Sequence, residues 1–147
     1  MIENSKNYHA PMHTAEHILN QTMVRFFGTS RSFSNHIERK KSKCDYHFTR
    51  PLTEDEIKKI NQQVNDVISQ NLPVNEHFIK KSEAIADYDL SKLPEDSGET
   101  LRIIKVGNYD SCFCSGEHVK NTSEIGKFAI STVSYEDGVL RIRYKLG

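Results

Sequence analysis

Tryptophan is absent from this sequence of 147 residues, and cysteine, proline and glycine are scarce, with three, four and seven residues respectively. So little proline and glycine excludes a collagen-like or low-complexity chain, and 36% hydrophobic residues suffice for a packed core. Apolar runs extend over only a few residues, which excludes a helix that spans a bilayer. A chain of this length buries one core and is too short for two domains with a linker. We therefore expect one domain over residues 1–147.

The three cysteines, Cys44, Cys112 and Cys114, are too few and of odd number for a disulfide framework. They are expected to be free thiols or metal ligands in a reducing compartment. The first seven residues also lack the basic start and apolar core of a secretory signal. We therefore expect a cytoplasmic protein.

Net charge is absent as well, because 20 Lys and Arg balance 20 Asp and Glu. The distribution is nevertheless uneven: five basic residues and one acidic residue lie between positions 31 and 43, and six acidic residues lie between positions 83 and 99. A local basic patch can hold phosphate groups without making the whole protein basic. The alternative is a solvated hairpin whose lysines protect an edge strand.

The first helix is predicted from apolar residues that recur every three or four positions over 15–27. Pro11 suits the first turn of this helix, and Gly28 suits its end. A hairpin is expected next, because segments 33–37 and 44–48 alternate between apolar and other side chains on either side of the basic run.

The second helix is the clearest element of the sequence, because Thr53 and Glu56 form a capping box ahead of apolar residues at helical spacing. We expect it to extend from Thr53 to Asn71. A short helical stretch is expected around 83–88 and a surface loop over 90–100. Strand-like runs lie at 74–80, 101–106, 128–135 and 139–144, the last two joined by an Asp-Gly turn. The pattern predicts an α+β fold with a mostly antiparallel sheet packed against two main helices.

Two separated motifs contain residues that bind metals. His13 and His17 stand four residues apart at the start of the first helix, so both imidazoles lie on one face. Cys114 and His118 stand four residues apart across a glycine, which lets the backbone bend until the two side chains converge. One thiolate and three imidazoles satisfy a tetrahedral zinc ion, in a closed structural site or in a catalytic site that also holds water. Cys44 and Cys112 are expected to be core or strand residues, and the alternative for Cys112 is to replace Cys114 as the thiol ligand.

The segment 13–19, HTAEHIL, resembles the HxxxH motif of the alanyl-tRNA synthetase editing domain and of its free-standing relatives, the AlaX proteins. The segment 114–119, CSGEHV, resembles their CxxxH motif, and the threonyl-tRNA synthetase editing domain has a similar pair. Further similarity lies at 52–57, 64–65, 71–74 and 121–128. The motifs occur in the right order over nearly the whole chain, which is far more specific than either metal motif alone.

The resemblance implies the fold of that editing domain and a zinc-dependent aminoacyl-tRNA deacylase that acts in trans. Its substrate is expected to be the ester between a wrong amino acid, usually serine or glycine, and the 3′ end of tRNA(Ala). The implied zinc ligands are His13, His17, Cys114 and His118. The sequence begins at the first motif, so we expect the short form of the family, without a synthetase module or an ATP site. The expected contacts to the tRNA acceptor stem are Arg39, Lys40, Lys41 and Lys43.

Three further residues are candidate catalytic or pocket groups. Glu16 and Glu117 each precede the second histidine of a motif, where the synthetase family commonly has a small or neutral residue. Either carboxylate can act as a general base on water, bind the ammonium group of the substrate, orient an imidazole, or simply be solvated. Thr14 can hydrogen-bond a serine hydroxyl in the pocket, or it can serve the first turn of the helix.

Two other functions are compatible with parts of the sequence. The segment 13–17 matches the HxxEH pattern of inverzincin metallopeptidases, with Glu76 or Glu83 as a third ligand. That class is much larger than this chain, and it leaves Cys114 and His118 unexplained. The non-enzymatic alternative is a zinc-stabilised RNA-binding domain of the same fold, which binds tRNA without deacylating it.

Overall fold

Two long helices and seven strands build the part of the chain that the computed structural model describes, residues 9–84 and 100–147. The helical elements are α1 (Ala10–Phe27), α2 (Glu54–Ser69), the short α3 (Lys81–Ala84) and a 3₁₀ turn (Thr122–Glu124). The strands are β1 (Ser34–His36), β2 (Ser42–His47), β3 (Val74–Lys80), β4 (Thr100–Val106), β5 (Asp110–Phe113), β6 (Phe128–Glu136) and β7 (Val139–Leu146). None of the described helices has the length and apolar character that a membrane crossing requires.

The strands form two sheets, and every pairing is antiparallel. One sheet has the order β1-β2-β7-β6, and the other has the order β3-β4-β5. In the four-stranded sheet Cys44 lies opposite Ile142 and Tyr46 lies opposite Leu140, and all four side chains are fully buried in the core with α1 and α2. The predicted α+β class, with two main helices on antiparallel sheet, is confirmed.

Helix α1 is fixed at both ends. The His9 side chain caps its start by accepting a hydrogen bond from the amide of Met12, and Pro11 occupies the first turn. Gly28 ends the helix with a φ of 67°, a left-handed conformation that favours glycine. The inward face of the helix, which includes Ile18, is fully buried. The predicted first helix is confirmed.

Helix α2 begins at the predicted capping box. The Thr53 hydroxyl accepts a hydrogen bond from the amide of Glu56 at 3.1 Å, and the Glu56 carboxylate accepts one from the amide of Thr53 at 2.9 Å. Ile60 and Val64 follow on the buried face. The helix ends at Ser69, two positions before the predicted end.

The remaining strand predictions are also confirmed. Strand β1 pairs with β2, and β6 pairs with β7 across Asp137 and Gly138, whose φ angles of 50° and 81° suit a tight hairpin turn. The expected helical stretch is present as α3, but its continuation at 85–88 and the expected loop at 90–99 lie outside the described residues. Strand β5 was not predicted, and it brings Asp110 beside α1.

Candidate metal centre and adjoining cavity

The four predicted metal ligands lie together although they come from distant parts of the chain. Helix α1 supplies His13 and His17, and the loop after β5 supplies Cys114 and His118; one ligand atom from each lies within 4.8 Å of the others. The ring centroids of His13 and His118 are 4.2 Å apart, and Cys114 Sγ is 3.4 Å from His13 Nε2. Three imidazoles and one thiolate form the donor set of a tetrahedral zinc site.

Two of the imidazoles are oriented through Nδ1. His13 Nδ1 lies 3.3 Å from the carbonyl oxygen of Glu117, and His17 Nδ1 lies 3.5 Å from a carboxylate oxygen of Asp110, an ion-pair contact without hydrogen-bond geometry. A metal-binding histidine commonly places its other ring nitrogen against a carbonyl or carboxylate, which fixes the ring and raises its basicity. In both residues Nε2 is therefore the nitrogen that faces the cluster.

The third imidazole shows the same arrangement and tests whether these residues suit a metal ion. His118 Nδ1 is 2.9 Å from the Thr14 hydroxyl, which also accepts a hydrogen bond from the amide of Val119 at 3.2 Å. Within the described residues, His118 Nε2 is buried and has no hydrogen-bond partner. Buried polar atoms without partners are costly. A metal ion at the cluster would satisfy this nitrogen, so the residues present fit such an ion.

Asp110 supports the cluster from behind, and no sequence motif indicated it. Its side chain is fully buried and is bound by Arg31 at 2.7 Å and by the Gln21 amide at 2.8 Å. Burial alone raises the pKa of Asp110, but His17 and Arg31 outweigh burial and hold that pKa well below its usual range. Burial likewise lowers the pKa of His17, yet Asp110, Cys114 and Glu16 together outweigh it and the pKa rises to about 9. Asp110 therefore carries a negative charge beside a ligand imidazole.

The protonation states of Cys114 and His118 suit metal binding. Burial raises the pKa of Cys114, but the imidazoles of His118, His13 and His17 outweigh it and lower the pKa to about 3. Burial lowers the pKa of His118 to about 4. Near neutral pH these groups are a thiolate and a neutral imidazole, the forms that bind metal ions.

Cys112 is different from Cys114. Burial raises the pKa of Cys112 to about 12, so this side chain is a neutral thiol near pH 7. Its Sγ donates a hydrogen bond to the carbonyl of Phe113 at 3.2 Å. It does not belong to the group of four close ligand atoms.

A cavity of about 380 Å³ opens beside the metal cluster, with His13, His17 and Cys114 in its wall. This volume lies in the range of small-molecule sites. Most of the other residues in its wall are polar, and they include Glu16, Asn20, Arg31, Asn35 and Ser111. A small polar group attached to a larger molecule can therefore enter next to the cluster.

Glu16 is the predicted catalytic candidate that faces both the cavity and the cluster. It is only 6% exposed, and its Oε1 lies 3.6 Å from His13 Nε2 and 3.8 Å from His17 Nε2. The Asn20 amide donates a hydrogen bond to Oε2 of Glu16, and the Asn20 carbonyl oxygen accepts one from the amide of Ser32 at 2.8 Å. The carboxylate is thereby held in one orientation at the cavity wall. Asn20 was missed because nothing in its sequence position indicates this contact.

The other two candidates lie away from the cavity. Thr14 is fully buried behind His118, and Glu117 contributes its main-chain carbonyl to His13 while the residue itself is exposed. Neither residue lines the cavity. The structure brings Glu16 together with the ligands and leaves Glu117 outside.

The predicted basic run is divided by the hairpin. Arg39, Lys40 and Lys41 are exposed in the turn between β1 and β2. Lys43 lies on β2, where its ammonium is 3.2 Å from the Asp45 carboxylate. Only the first three are therefore free to contact phosphate without competing with a neighbouring acid within the described structure.

Within the described residues, no glutamate supplies the third ligand of the metallopeptidase pattern at this site. Glu76 lies exposed on β3 and is 3.4 Å from Arg102. The side chain of Glu83 lies outside the described residues. His13 and His17 are instead grouped with Cys114 and His118.

Comparison with known proteins shows what this chain is similar to. Residues 101–143, which include Cys114 and His118, match the family described as the threonyl and alanyl tRNA synthetase second additional domain. The alanine-tRNA ligase of Fervidobacterium nodosum is 36% identical over 132 residues, which are 88% of this chain and 15% of the ligase. The chain is related to the second additional domain of alanyl-tRNA synthetases. The resemblance seen in the sequence motifs is thereby confirmed.

Other alanine-tRNA ligases have a similarly low sequence identity to this chain. The alanine-tRNA ligase of Pseudothermotoga lettingae is 32% identical over 132 residues, covering 88% of this chain. That of Methanococcus maripaludis strain C7 is 31% identical over 140 residues, covering 92% of this chain. The chain spans only about one sixth of these curated relatives, 15% of the first and 16% of the second.

Proposed function

We propose that this chain is a zinc-dependent aminoacyl-tRNA deacylase that acts in trans in the cytoplasm. The proposed substrates are seryl- and glycyl-tRNA(Ala), in which the amino acid does not match the tRNA. The proposal rests on one juxtaposition: three of the four clustered metal ligands lie in the wall of a cavity that also contains a buried carboxylate. The relation to alanine-tRNA ligases supports tRNA(Ala) as the partner.

Hydrolysis of an aminoacyl ester needs a positioned water and a polarised carbonyl, but no covalent nucleophile. Zinc bound by the four ligands would supply a Lewis acid that polarises the carbonyl or anchors the substrate. We assign Glu16 as the general base, because its carboxylate lies at the cavity wall between the cluster and the space for substrate. Asn20 holds that carboxylate, so that a water bound to it has a fixed direction of attack.

The polar wall also provides a means of selecting the amino acid. Asn35 and Ser111 line the cavity and can pair with a serine hydroxyl. An alanyl group offers no such partner, and a site that loses hydrogen bonds in this way discriminates strongly between the seryl and alanyl esters. This pairing accounts for the seryl ester and not for the glycyl ester, which has no hydroxyl. Thr14 is proposed to orient His118 instead of contacting substrate, since its hydroxyl faces the imidazole.

The test is deacylation of purified seryl-, glycyl- and alanyl-tRNA(Ala) by the wild type and by Cys114→Ala, with the metal content of each protein determined. We expect fast loss of the seryl or glycyl ester, slow loss of the alanyl ester, and an inactive, metal-depleted Cys114→Ala. Cys112→Ala is the matched control for metal content, because it removes a neighbouring thiol outside the cluster and is expected to retain the ion.

Two results would contradict the proposal. If all three esters survive a zinc-loaded wild type that still binds tRNA, the chain is an RNA-binding domain of this fold. If the metal-free protein deacylates as fast as the loaded one, hydrolysis does not depend on zinc.

A further inference from the structure

The outer face of the four-stranded sheet is rich in basic residues. Side chains alternate between the two faces of a strand, and the inward set of β2 and β7 is the buried core. The outward set contains four basic residues, here called the basic sheet face: Lys43, Arg141, Arg143 and Lys145. Three of them lie on β7, for which the sequence pattern predicts only a strand.

The strand register gathers these charges into a continuous area. Lys43 lies directly opposite Arg143, and Asp45 lies opposite Arg141. The Asp45 carboxylate accepts hydrogen bonds from Arg141 at 2.7 and 3.0 Å and from Lys43 at 3.2 Å, so one acid serves two bases. Neither Arg143 nor Lys145 has an acidic partner within 4 Å among the residues that the structure describes.

The neighbouring strand, β6, contributes short hydroxyl side chains to this face. Thr132 of β6 lies opposite Arg143, and Ser134 lies opposite Arg141, and both are exposed. Short hydroxyl side chains leave the basic groups accessible to a wide, flat partner and offer additional hydrogen bonds to phosphate oxygens. Both main helices pack on the opposite side of the sheet.

Strand β1 connects this face with the cavity. Asn35 pairs with the inward-facing Cys44 and lines the cavity, whereas the next residue, His36, pairs with the outward-facing Lys43. The basic turn at 39–41 continues the same edge. A polyanion bound to the outer face therefore has a short route around one edge strand to the metal cluster.

We propose that the basic sheet face binds the sugar-phosphate backbone of the RNA whose 3′ end enters the cavity. This inference rests on the proposed function, since it names the surface that holds the body of that substrate. The protein has no net charge, so a local excess of basic side chains without acidic partners is the feature that attracts a polyanion. Backbone contacts of this kind position RNA without reading its sequence.

The test measures binding of deacylated tRNA(Ala) to the full chain by fluorescence anisotropy at several salt concentrations. The test variant is Arg143→Gln with Lys145→Gln. The matched control is Lys58→Gln with Lys105→Gln, which removes the same charge from exposed positions on α2 and β4. Two lost phosphate contacts are expected to lower affinity roughly tenfold and to make the slope of log K against log salt about 1.4 to 1.8 less negative. The control is expected to bind like the wild type.

A charge-preserving variant, Arg143→Lys with Lys145→Arg, separates electrostatics from folding and is expected to keep most of the affinity. The proposal is overturned if the test variant binds with the same affinity and slope as its control, or if the charge-preserving variant is as weak as the test variant. If either of these results is obtained while the wild type hydrolyses the esters normally, the basic sheet face is rejected as the binding surface and the deacylase proposal stands. Wild-type tRNA binding through this face without hydrolysis would reject the deacylase proposal alone.

Discussion

Glu16 and Glu117 occupy equivalent positions in their motifs, yet they have different surroundings. Glu16 is buried between two ligand imidazoles and the cavity, and Glu117 is exposed with only its carbonyl turned toward His13. The motifs favoured Glu117 over Glu16 as the functional carboxylate. Burial of a carboxylate depends on what packs over it, which the motifs do not show. Of these two carboxylates, only that of Glu16 therefore lies at both the ligand imidazoles and the cavity wall.

Replacement of Glu16 by Gln is expected to reduce kcat for seryl-tRNA(Ala) by about 10²- to 10⁴-fold, because the base is lost while the shape and the Asn20 contact remain. Metal content and KM are expected to change little. Glu117→Gln is the matched control and is expected to alter kcat less than twofold, because its side chain does not line the cavity. Equal losses for the two variants, measured in single-turnover deacylation, would reject this assignment.

Replacement of Asp110 by Asn is expected to weaken zinc binding by about 10- to 100-fold, because His17 loses the carboxylate that orients it. The measurement is competition for zinc against a chromophoric chelator. Asp66→Asn, on α2, is the control and is expected to bind zinc like the wild type. An unchanged affinity in Asp110→Asn would mean that the carboxylate only neutralises Arg31.

Among the elements, α2 is the one whose stability depends most visibly on local sequence. Replacement of Thr53 by Ala is expected to lower the free energy of unfolding by about 1 kcal/mol, because it removes the hydroxyl that accepts a hydrogen bond from the amide of Glu56. Arg50 and the Thr53 amide lower the pKa of Glu56 to about 2. The Glu56 contribution is therefore present above the usual pKa of the carboxyl group and disappears as pH falls toward 2. Urea unfolding at pH 7 measures the loss of unfolding free energy in Thr53→Ala, with the exposed Thr49→Ala as the control. Equal unfolding midpoints for Thr53→Ala and the wild type would contradict the prediction.

Local patterns predicted the elements well, and tertiary contacts explain what was missed. The capping box, the helical spacing in α1 and the Asp-Gly turn each act within a few residues, so the sequence reveals them directly. Asp110 and Arg31 are 79 positions apart, and their ion pair exists only because β5 lies beside α1. The division of the strands into two sheets, and the gathering of Arg141 and Arg143 beside Lys43, likewise depend on pairing between distant strands.

At the scale of the whole molecule, the metal cluster joins two distant parts of the chain, since Cys114 and His13 are 101 positions apart. An ion that binds only the folded state is expected to stabilise it by about 2.7 kcal/mol at a free concentration one hundred times its Kd. Thermal unfolding of the metal-loaded and chelator-treated protein checks this expectation. Cys114→Ala is expected to abolish the difference in Tm, whereas equal Tm values for both wild-type forms would contradict coupling between the metal and the fold.

The position of β7 in the middle of its sheet has a consequence for how the chain acquires its structure. Arg141 and Asp45 are 96 positions apart, and the Tyr144 hydroxyl donates to the Met12 carbonyl across 132 positions. Contacts between such distant residues slow folding, because a long loop must close before they contribute. During synthesis the hairpin of β1 and β2 is therefore complete before its neighbour β7 exists, because Arg141 follows Asp45 by 96 positions. Its exposed edge in that interval is a natural target for chaperones that bind unpaired strands.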